Sequence, residues 1–446
     1  MRKMAYEYEI VRATVGPKHH LFGFHDLIAF NQTGEKLLSL EADVINRPPL
    51  AGESFGVGYS LWEEKRFIRL GETTAMNYPQ GARQQWLSNH EFIVNNRVGN
   101  NWGADIYDVK IGKRISSISS PAHCVTENGE YAFGINYARL FRLGGYGYNG
   151  LEDRAKGEVA PKNDGIFKTN IKKNHTELLI SIGDVARIDP STTSFNSFHH
   201  YVTHLCLSPD NKRIAFLHRF FLADGGIRTR LMTVGTNGED CRCIASGFLS
   251  HFDWKDNKTL FIWGKAGGSI DSLRSNPLLS NRFIRPMLGV AKSVIRNISG
   301  KSLTSMKHFL MVRDSEQKNI HPFAIGVIDE DGHPMCSPTD RNIIICDTYP
   351  NRDTKKRTLF FYDFNENRKT DVGMFYMGNE SVDRALENEY LKDLDPQIRN
   401  MVTPELLSFT RSGLHCDLHP RWDAQGTMIA FDSIHEGTRQ IYIVKK

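Results

Sequence analysis

The sequence predicts an all-β protein, a seven-bladed β-propeller with its long loops on one face. Two observations support this fold: a short pattern that recurs along the chain in seven copies, and a further pair of strand-like segments after most copies. Four short strands per unit, at a spacing of roughly 40 to 60 residues and without helical periodicity between them, are typical of propeller blades. Two stacked β-sandwich domains are the alternative interpretation of the same pattern.

The recurring pattern is an apolar strand, a polar turn and a second apolar strand, with a histidine four residues before the turn. It is clearest in HLCLSPDNKRIAF, which begins at His204. The copy that begins at Gln85 has glutamine in place of the histidine. The other copies begin at His25, His123, His251, His333 and His419.

The 446 residues form a single predicted domain, in which the N-terminal segment YEYEIVRAT adds a last strand to the C-terminal blade. This strand closes the ring and leaves no open sheet edge. Three long insertions interrupt the repeat, at about residues 140–163, 265–306 and 376–412. Each of them follows a second strand or precedes a first strand. All three are therefore expected on the face where the histidines begin the strands.

Composition indicates an ordinary globular protein, because 40% of the residues are hydrophobic and 24% are charged. No apolar run approaches about 18 residues, and no apolar block follows the first residues, so we expect a cytoplasmic protein without a transmembrane segment. A net charge of +5 over this length does not favour nucleic acid as a partner, and it does not oppose an acidic ligand. Seven scattered cysteines predict reduced thiols.

The repeat predicts where the functional residues meet. The first strand of every blade lines the channel of a propeller, so the residues that begin the repeats are expected to form a ring at its mouth. The second strands return to the same face, which is also the face of the long loops, where propellers bind ligands. The last residues of these strands are therefore expected beside the ring: Arg47, Arg97, Tyr137, Arg139, Arg219, Lys265, Asp347, Tyr349 and His435.

The segment CDLHP offers a metal site. Alternate residues of a strand share a face, so His415, Asp417 and His419 point together while Cys416 points away. With His333 from the neighbouring blade, they form a predicted site for a divalent cation such as manganese, calcium or zinc. The alternative for every repeat histidine is a structural role, in which it forms hydrogen bonds across a blade junction.

Six segments resemble bacterial propeller proteins related to oligogalacturonate lyases and ulvan lyases: HHLFGFHD, NYARLFRLGGYGY, AFLHRF, SHFDW, CDTYP and DLHPRWDAQGTMIAFDSIHEGTRQIY. These segments fall in the same order around the ring and cover nearly all blades. The resemblance implies β-elimination on an oligosaccharide or polysaccharide that contains uronic acid. This reaction needs a cation to neutralise the sugar carboxylate, a base to remove the C5 proton and an acid to help the leaving oxygen.

The resemblance also implies roles for single residues. Arg139 falls where the ulvan-type enzymes have a carboxylate-neutralising arginine, and His123 falls where they have a tyrosine. His333 and His419 match metal ligands of the oligogalacturonate enzymes. In the same metal site, Asp417 stands where those enzymes have a further histidine, and Leu414 stands where they have a glutamine.

The working hypothesis is a lyase for acidic oligosaccharides, in which His123 or His204 is the base or acid and Arg139 and Arg219 hold the carboxylate. The residues expected to bind substrate are His25, Arg47, Gln85, Arg97, Tyr137, Tyr349 and His435. The alternative is a non-catalytic propeller that binds glycan or protein during polysaccharide assembly or export.

Two further expectations concern the acids at the mouth and one insertion. A hydrolase with paired carboxylates is disfavoured, because the predicted mouth has few acids besides Asp26, Asp347 and Asp417. Residues 265–306 are basic and contain a predicted amphipathic helix, for which a lid over the site or a contact for a protein partner is favoured over a membrane-surface element.

Overall fold

The structure is a computed structural model that describes residues 8–144, 146–188, 198–222, 226–266, 307–315 and 320–445. Over these ranges, 27 strands form six antiparallel sheets, five with four strands and one with seven. The predicted all-β propeller is confirmed. Residues 267–306 lie outside the described ranges, and with them the predicted helix and lid of that insertion.

The strands of the first half of the chain are β1 (Glu9–Arg12), β2 (His19–Leu21), β3 (Lys36–Ala42), β4 (Phe55–Leu61), β5 (Arg66–Thr73), β6 (Gln85–Trp86), β7 (Glu91–Val98), β8 (Asn101–Asp108), β9 (Lys113–Ile118), β10 (Cys124–Val125), β11 (Tyr131–Ile135), β12 (Gly165–Asn170) and β13 (His175–Ser181). Strands β2–β5, β6–β9 and β10–β13 each form a four-stranded sheet in chain order.

The later strands are β14 (His200–Leu207), β15 (Arg213–Phe221), β16 (Ile227–Gly235), β17 (Arg242–Trp254), β18 (Thr259–Ala266), β19 (His308–Arg313), β20 (Ile320–Phe323), β21 (Met335–Cys336), β22 (Ile343–Asp347), β23 (Lys356–Asp363), β24 (Arg368–Tyr376), β25 (Arg421–Trp422), β26 (Met428–Ser433) and β27 (Gln440–Lys445). The described helices are α1 (Tyr137–Gly144), α2 (Ile182–Arg187), α3 (Glu387–Leu391), α4 (Pro396–Met401) and α5 (Pro404–Arg411).

The seven-stranded sheet contains β14 to β20, and its long central strand explains its size. The first half of β17 pairs with β16, for example Ala245 with Leu231, and its last residues pair with β18, for example Phe252 with Ile262. One continuous strand thus joins two groups of strands. The count of seven blades stays a prediction. It requires that this sheet be counted as two blades that share β17.

Ring closure follows the predicted scheme. Strand β1 pairs antiparallel with β27, with Glu9 opposite Lys445 and Arg12 opposite Tyr442. The order β1-β27-β26-β25 completes a four-stranded sheet from the two ends of the chain. The prediction that the N-terminal segment supplies a closing strand is confirmed.

A buried aspartate, Asp432, joins the closing sheet to the segment after β2. The Asp432 carboxylate at the end of β26 accepts hydrogen bonds from the guanidinium groups of Arg421, at 3.1 Å, and Arg439, at 3.1 Å. It also accepts one from the backbone N–H of Phe22, at 3.2 Å, in the segment after β2. All three side chains of this ion cluster are buried. The cluster therefore fixes the closing sheet to the segment that leads to His25.

The insertions at 140–163 and 376–412 pack against each other. Helix α1 and helices α3 to α5 share one apolar cluster, which includes Phe141, Tyr390 and Leu407. Arg142 of α1 also donates a hydrogen bond to the Asp395 carboxylate at 2.7 Å, across the two insertions. Both segments therefore form one structural unit above the sheets.

All seven cysteines are free thiols, as predicted. Among the described residues, no helix has both the length and the apolar character that a bilayer span requires.

We expect that Asp432→Ala lowers the free energy of unfolding by about 3 kcal/mol or more, because it leaves two buried guanidinium groups without their carboxylate. The matched control is Asp371→Ala, which removes an exposed aspartate paired with Lys369 and is expected to cost less than about 1 kcal/mol. Urea denaturation of the two variants measures the difference, and equal losses would show that the closing cluster does not stabilise the ring.

Candidate functional site

Five imidazole rings surround Phe24 at the start of the inner strands. The ring centroid of Phe24 lies 4.4 Å from that of His25, 4.9 Å from those of His204 and His419, 6.3 Å from that of His333 and 6.4 Å from that of His251. The structure thus brings together five of the seven residues that the repeat placed in the ring. We call these five residues the histidine cluster.

The other two residues of the predicted ring, His123 and Gln85, form contacts within the protein framework. The His123 ring is buried, and its Nδ1 lies 2.8 Å from the hydroxyl of Tyr137. The Gln85 side chain donates to the backbone carbonyl of Arg83 at 3.0 Å and accepts from the N–H of Val125 at 3.0 Å. Among the described contacts, neither His123 nor Gln85 packs against the ring of Phe24.

Arg83, and not Gln85, is the positional equivalent of the cluster histidines. It stands three residues before Trp86, as His251 stands before Trp254 and His419 before Trp422. Its φ of 55° matches the left-handed φ of 56° at His204 and 44° at His419. Its guanidinium binds the Asp26 carboxylate, at 2.8 Å and 2.9 Å. The tryptophan spacing was the sequence signal that identifies this register.

Arg139 requires a correction of its predicted position, because it lies on helix α1 and not at the end of a strand. Its guanidinium is buried and donates to the backbone carbonyls of His200 at 2.8 Å and Ala155 at 3.1 Å. Two more carbonyls, those of Glu158 and Val159, accept from it at 3.0 Å and 3.1 Å. These contacts anchor the insertion and occupy the donors that a substrate carboxylate would need.

Four other predicted substrate-binding residues have partners within their own part of the fold. Arg47 forms an ion pair with Glu53 at 2.7 Å, and Arg97 is exposed and donates to the carbonyl of Gly99. Tyr137 stacks on Tyr148, and His435 packs against Phe375 and Tyr442.

Tyr349, Arg219 and Tyr146 border the histidine cluster. The Tyr349 ring lies 5.5 Å from His333 and 6.2 Å from His251. Tyr146 comes from the insertion at 140–163, and its ring lies 5.8 Å from His204. Arg219 is half-buried, and its Nε has no hydrogen-bond partner within the described ranges. The repeat pattern predicted that Tyr349 and Arg219 lie beside the histidines, but it did not predict this position for Tyr146.

The predicted metal ligands lie around one oxygen of Asp417. Its Oδ2 is 3.3 Å from Nε2 of His415, 3.7 Å from Nε2 of His419 and 3.8 Å from Nε2 of His333. Its Oδ1 is 2.7 Å from Nη2 of Arg357, which neutralises and orients the carboxylate from the other side. Atoms that bind one cation at about 2.0–2.2 Å lie roughly 3 to 4 Å apart, so this spacing fits a divalent ion.

Asp347 and the Gly23 carbonyl fix the orientation of two of these imidazoles. Its Oδ1 accepts from Nδ1 of His333 at 2.7 Å, and its Oδ2 accepts from the backbone N–H of His419 at 3.2 Å. Nδ1 of His419 donates to the carbonyl of Gly23 at 2.8 Å. Both rings therefore carry their proton on Nδ1, which leaves Nε2 as the atom able to bind a cation. Nε2 of His419 is buried and has no hydrogen-bond partner among the described residues.

Burial sets the protonation of the cluster. It holds the pKa of His25, His204 and His419 well below the usual 6.5, and neighbouring cationic side chains lower these values further. Burial also acts to lower the pKa of His333, but the carboxylates of Asp347 and Asp417 outweigh it and raise this pKa. Most of the cluster is therefore neutral at physiological pH.

The neighbouring acids show opposite shifts. Burial raises the pKa of the Tyr349 phenol well above 10, so this hydroxyl keeps its proton. Burial also acts to raise the pKa of Asp417, but His415, Arg357 and His333 hold it well below 3.8. The mouth thus offers neutral nitrogen bases, a protonated phenol and one ionised carboxylate between imidazoles.

We expect the free energy of unfolding to fall steeply as the pH is lowered from about 7 towards 5. His25, His123, His204 and His419 have a lowered pKa in the folded state, so the unfolded state binds these protons first. Their stabilisation is present above about pH 6.5 and is lost below it, at about 1.4 kcal/mol per pH unit for each proton.

The measurement is urea denaturation across this pH range with chelator present. His123→Asn is expected to reduce the slope by about one proton, whatever its effect on absolute stability. The exposed His175 provides the control, His175→Asn. An unchanged slope in His123→Asn would mean that this imidazole is not held neutral.

Solved structures show similarity over the whole chain. An oligogalacturonate lyase from Vibrio parahaemolyticus is 12% identical, with a TM-score of 0.57 over 99% of this chain and 94% of that chain. An oligogalacturonate lyase in complex with manganese is 10% identical, with a TM-score of 0.42 over 98% of this chain and 93% of that chain. The tricorn protease is 11% identical, with a TM-score of 0.45 over 96% of this chain and 34% of that chain.

Neither a protein-family model nor the sequence of a curated protein matches the chain. The first structural similarity supports the propeller fold, and an identity of 12% does not transfer a reaction. The fold of this chain resembles that of an oligogalacturonate lyase.

Proposed function

We propose that the chain is a polysaccharide-lyase-like enzyme that performs β-elimination on an oligosaccharide containing uronic acid. The observation that carries this proposal is the location of a carboxylate-oriented imidazole, a protonated phenol and a cation-binding set of ligands around one mouth. These are the three kinds of group that removal of the C5 proton and departure of the 4-linked oxygen require.

His251 is the proposed base. Its Nδ1 lies 3.0 Å from Oδ1 of Asp331, which accepts the Nδ1 proton and leaves Nε2 with a free lone pair. Asp331 is held in turn by the hydroxyl of Ser250, at 2.7 Å. The His251 side chain is 12% exposed, whereas those of His333 and His419 are almost completely buried. A sugar therefore reaches His251 more readily than the other oriented imidazoles of the cluster.

Tyr349 is the proposed acid. Its ring lies beside both His251 and His333, and its raised pKa keeps the proton that the leaving oxygen needs. His204, which the sequence proposed as base or acid, borders the same mouth beside Tyr146 and is the second proposed proton carrier. His123 and Arg139 are not part of this proposal, because their polar atoms hold the protein framework.

Neutralisation of the sugar carboxylate is assigned to Arg219 and to a divalent cation that the metal ligands would hold. His333, Asp417 and His419 would hold a divalent cation, with His415 alongside, and their nitrogen and oxygen donors suit manganese or zinc. When bound, the cation supplies positive charge that makes the C5 proton more acidic. Arg219 supplies the same charge from the His204 side, where its Nε lacks a partner among described residues.

The first experiment measures the ultraviolet absorbance of 4,5-unsaturated uronate with purified protein and a panel of oligogalacturonates and oligoglucuronates. We expect the unsaturated product, and we expect His251→Asn to lower kcat by roughly 10²- to 10⁴-fold, because the base is lost. His175→Asn, an exposed histidine, is the control. A flat trace over the panel, with divalent cations added, would favour the non-catalytic, glycan-binding alternative.

The second experiment measures manganese affinity by calorimetry. Asp347→Asn is expected to weaken manganese binding by roughly 10- to 100-fold, because the His333 ring loses the carboxylate that orients it and the His419 backbone loses its acceptor. Asp371→Asn removes an exposed carboxylate and is expected to leave the affinity unchanged. Equal affinities in both variants would contradict the orienting role of Asp347, and no binding by the unsubstituted protein would remove the metal from the proposal.

A further inference from the structure

Arg411 is a buried cation without an anion beside it. It is the last residue of helix α5 in the insertion at 376–412, and it is 8% exposed. Within the described ranges, its Nη1 is buried without a hydrogen-bond partner, and its guanidinium forms no ion pair. Its guanidinium packs over the ring of Phe141, whose centroid lies 5.8 Å away.

The most deeply buried arginines of this protein contrast with Arg411. Each of them forms an ion pair with a buried or nearly buried aspartate; they are Arg83, Arg139, Arg357, Arg421 and Arg439. A buried charge without such a partner is costly, since it has lost water and gained no counter-ion. Burial lowers the pKa of Arg411 to about 10, so the side chain remains charged at neutral pH.

The neighbours of Arg411 connect it to the mouth. Tyr201 belongs to the same apolar cluster as Phe141, and Tyr146 packs against that cluster. Tyr146 is the residue whose ring packs against His204, and Tyr201 lies opposite Arg219 where β14 pairs with β15. Two guanidinium groups without a carboxylate partner in the described ranges, Arg219 and Arg411, thus flank two phenols on the His204 side of the cluster.

We propose that Arg411, together with Arg219, forms an anion subsite that holds a carboxylate of the ligand. A guanidinium matches a carboxylate in geometry and charge, and the phenol of Tyr201 keeps its proton and can donate beside it. The identity of the ligand as an acidic sugar rests on the proposed function, whereas the need for an anion follows from the unpaired guanidinium groups alone. Arg411 is therefore assigned as a binding residue, delivered by the insertion and not by the repeat.

The subsite predicts opposite effects on stability and on binding. Arg411→Met replaces the unpaired charge with an apolar side chain of similar length, so the ligand-free protein is expected to become more stable, with a higher Tm. The same substitution is expected to weaken binding of the acidic ligand about tenfold or more. A residue with a merely structural role would show lower stability and unchanged binding.

The test is calorimetry in a His251→Asn background, in which binding is measured whether or not the protein is an active lyase. The probes are trigalacturonate, its methyl ester and inorganic sulfate. The control is Arg368→Gln, which removes an equal charge from an exposed arginine on β24. We expect Arg411→Met to weaken trigalacturonate binding, Arg411→Lys to restore part of it, and the methyl ester to bind weakly to every variant.

Two results would overturn the subsite: trigalacturonate binding that Arg411→Met leaves unchanged, and an unsubstituted protein that binds none of the probes. Binding of sulfate alone, lost in Arg411→Met, would overturn the assignment to a carboxylate. Loss of binding in Arg411→Met without any elimination by the unsubstituted protein would support the subsite and contradict the lyase, so the two proposals fail separately.

Discussion

The Asp347 carboxylate is the contact on which the geometry of the mouth depends. It accepts hydrogen bonds from the backbone and Nδ1 of His333, and from the backbone N–H groups of Leu418 and His419. One buried anion therefore joins two neighbouring sheets, orients the His333 imidazole and fixes the backbone that carries His419. Asp432 has the same effect where the ring closes, because it binds two arginines and the segment that leads to Phe24. The residues of the proposed site are thus positioned by contacts that also stabilise the fold.

Packing around Phe24 gives the mouth its chemical character. Imidazoles that are crowded and desolvated in this way stay neutral, and they provide lone pairs instead of positive charge. Nearby carboxylates are already paired, as Asp26 is with Arg83 and Asp417 is with Arg357. Within the part of the chain that the structure describes, Arg411 and Arg219 form no ion pair, and each has a buried nitrogen without a hydrogen-bond partner. This distribution suits a ligand that brings its own negative charge.

Much of the fold and part of the site could be predicted from sequence, because both depend on a repeat. The strand pattern predicted the propeller and its closing strand, and the phase of the histidines predicted that His25, His204, His251, His333 and His419 would meet. The looser copy was assigned to Gln85, although the tryptophan spacing indicates Arg83.

The residues whose positions were not predicted correctly lie outside the repeat. Arg139 was expected at a strand end, but the chain leaves β11 and turns at once into helix α1. Arg411 belongs to a helix that follows no repeat, and no sequence pattern encodes that its Nη1 is buried without a hydrogen-bond partner among the described residues.

The ion pair between the two insertions has a consequence for how such a protein diversifies. Arg142 and Asp395 join segments that lie more than two hundred residues apart in sequence, and these segments carry Tyr146 and Arg411 to the same side of the mouth. If the proposed anion subsite binds the ligand, substitutions or length changes in either segment would alter ligand selectivity while leaving the sheets intact. Selectivity would then evolve separately from the ring, with compensating changes expected in the two insertions together.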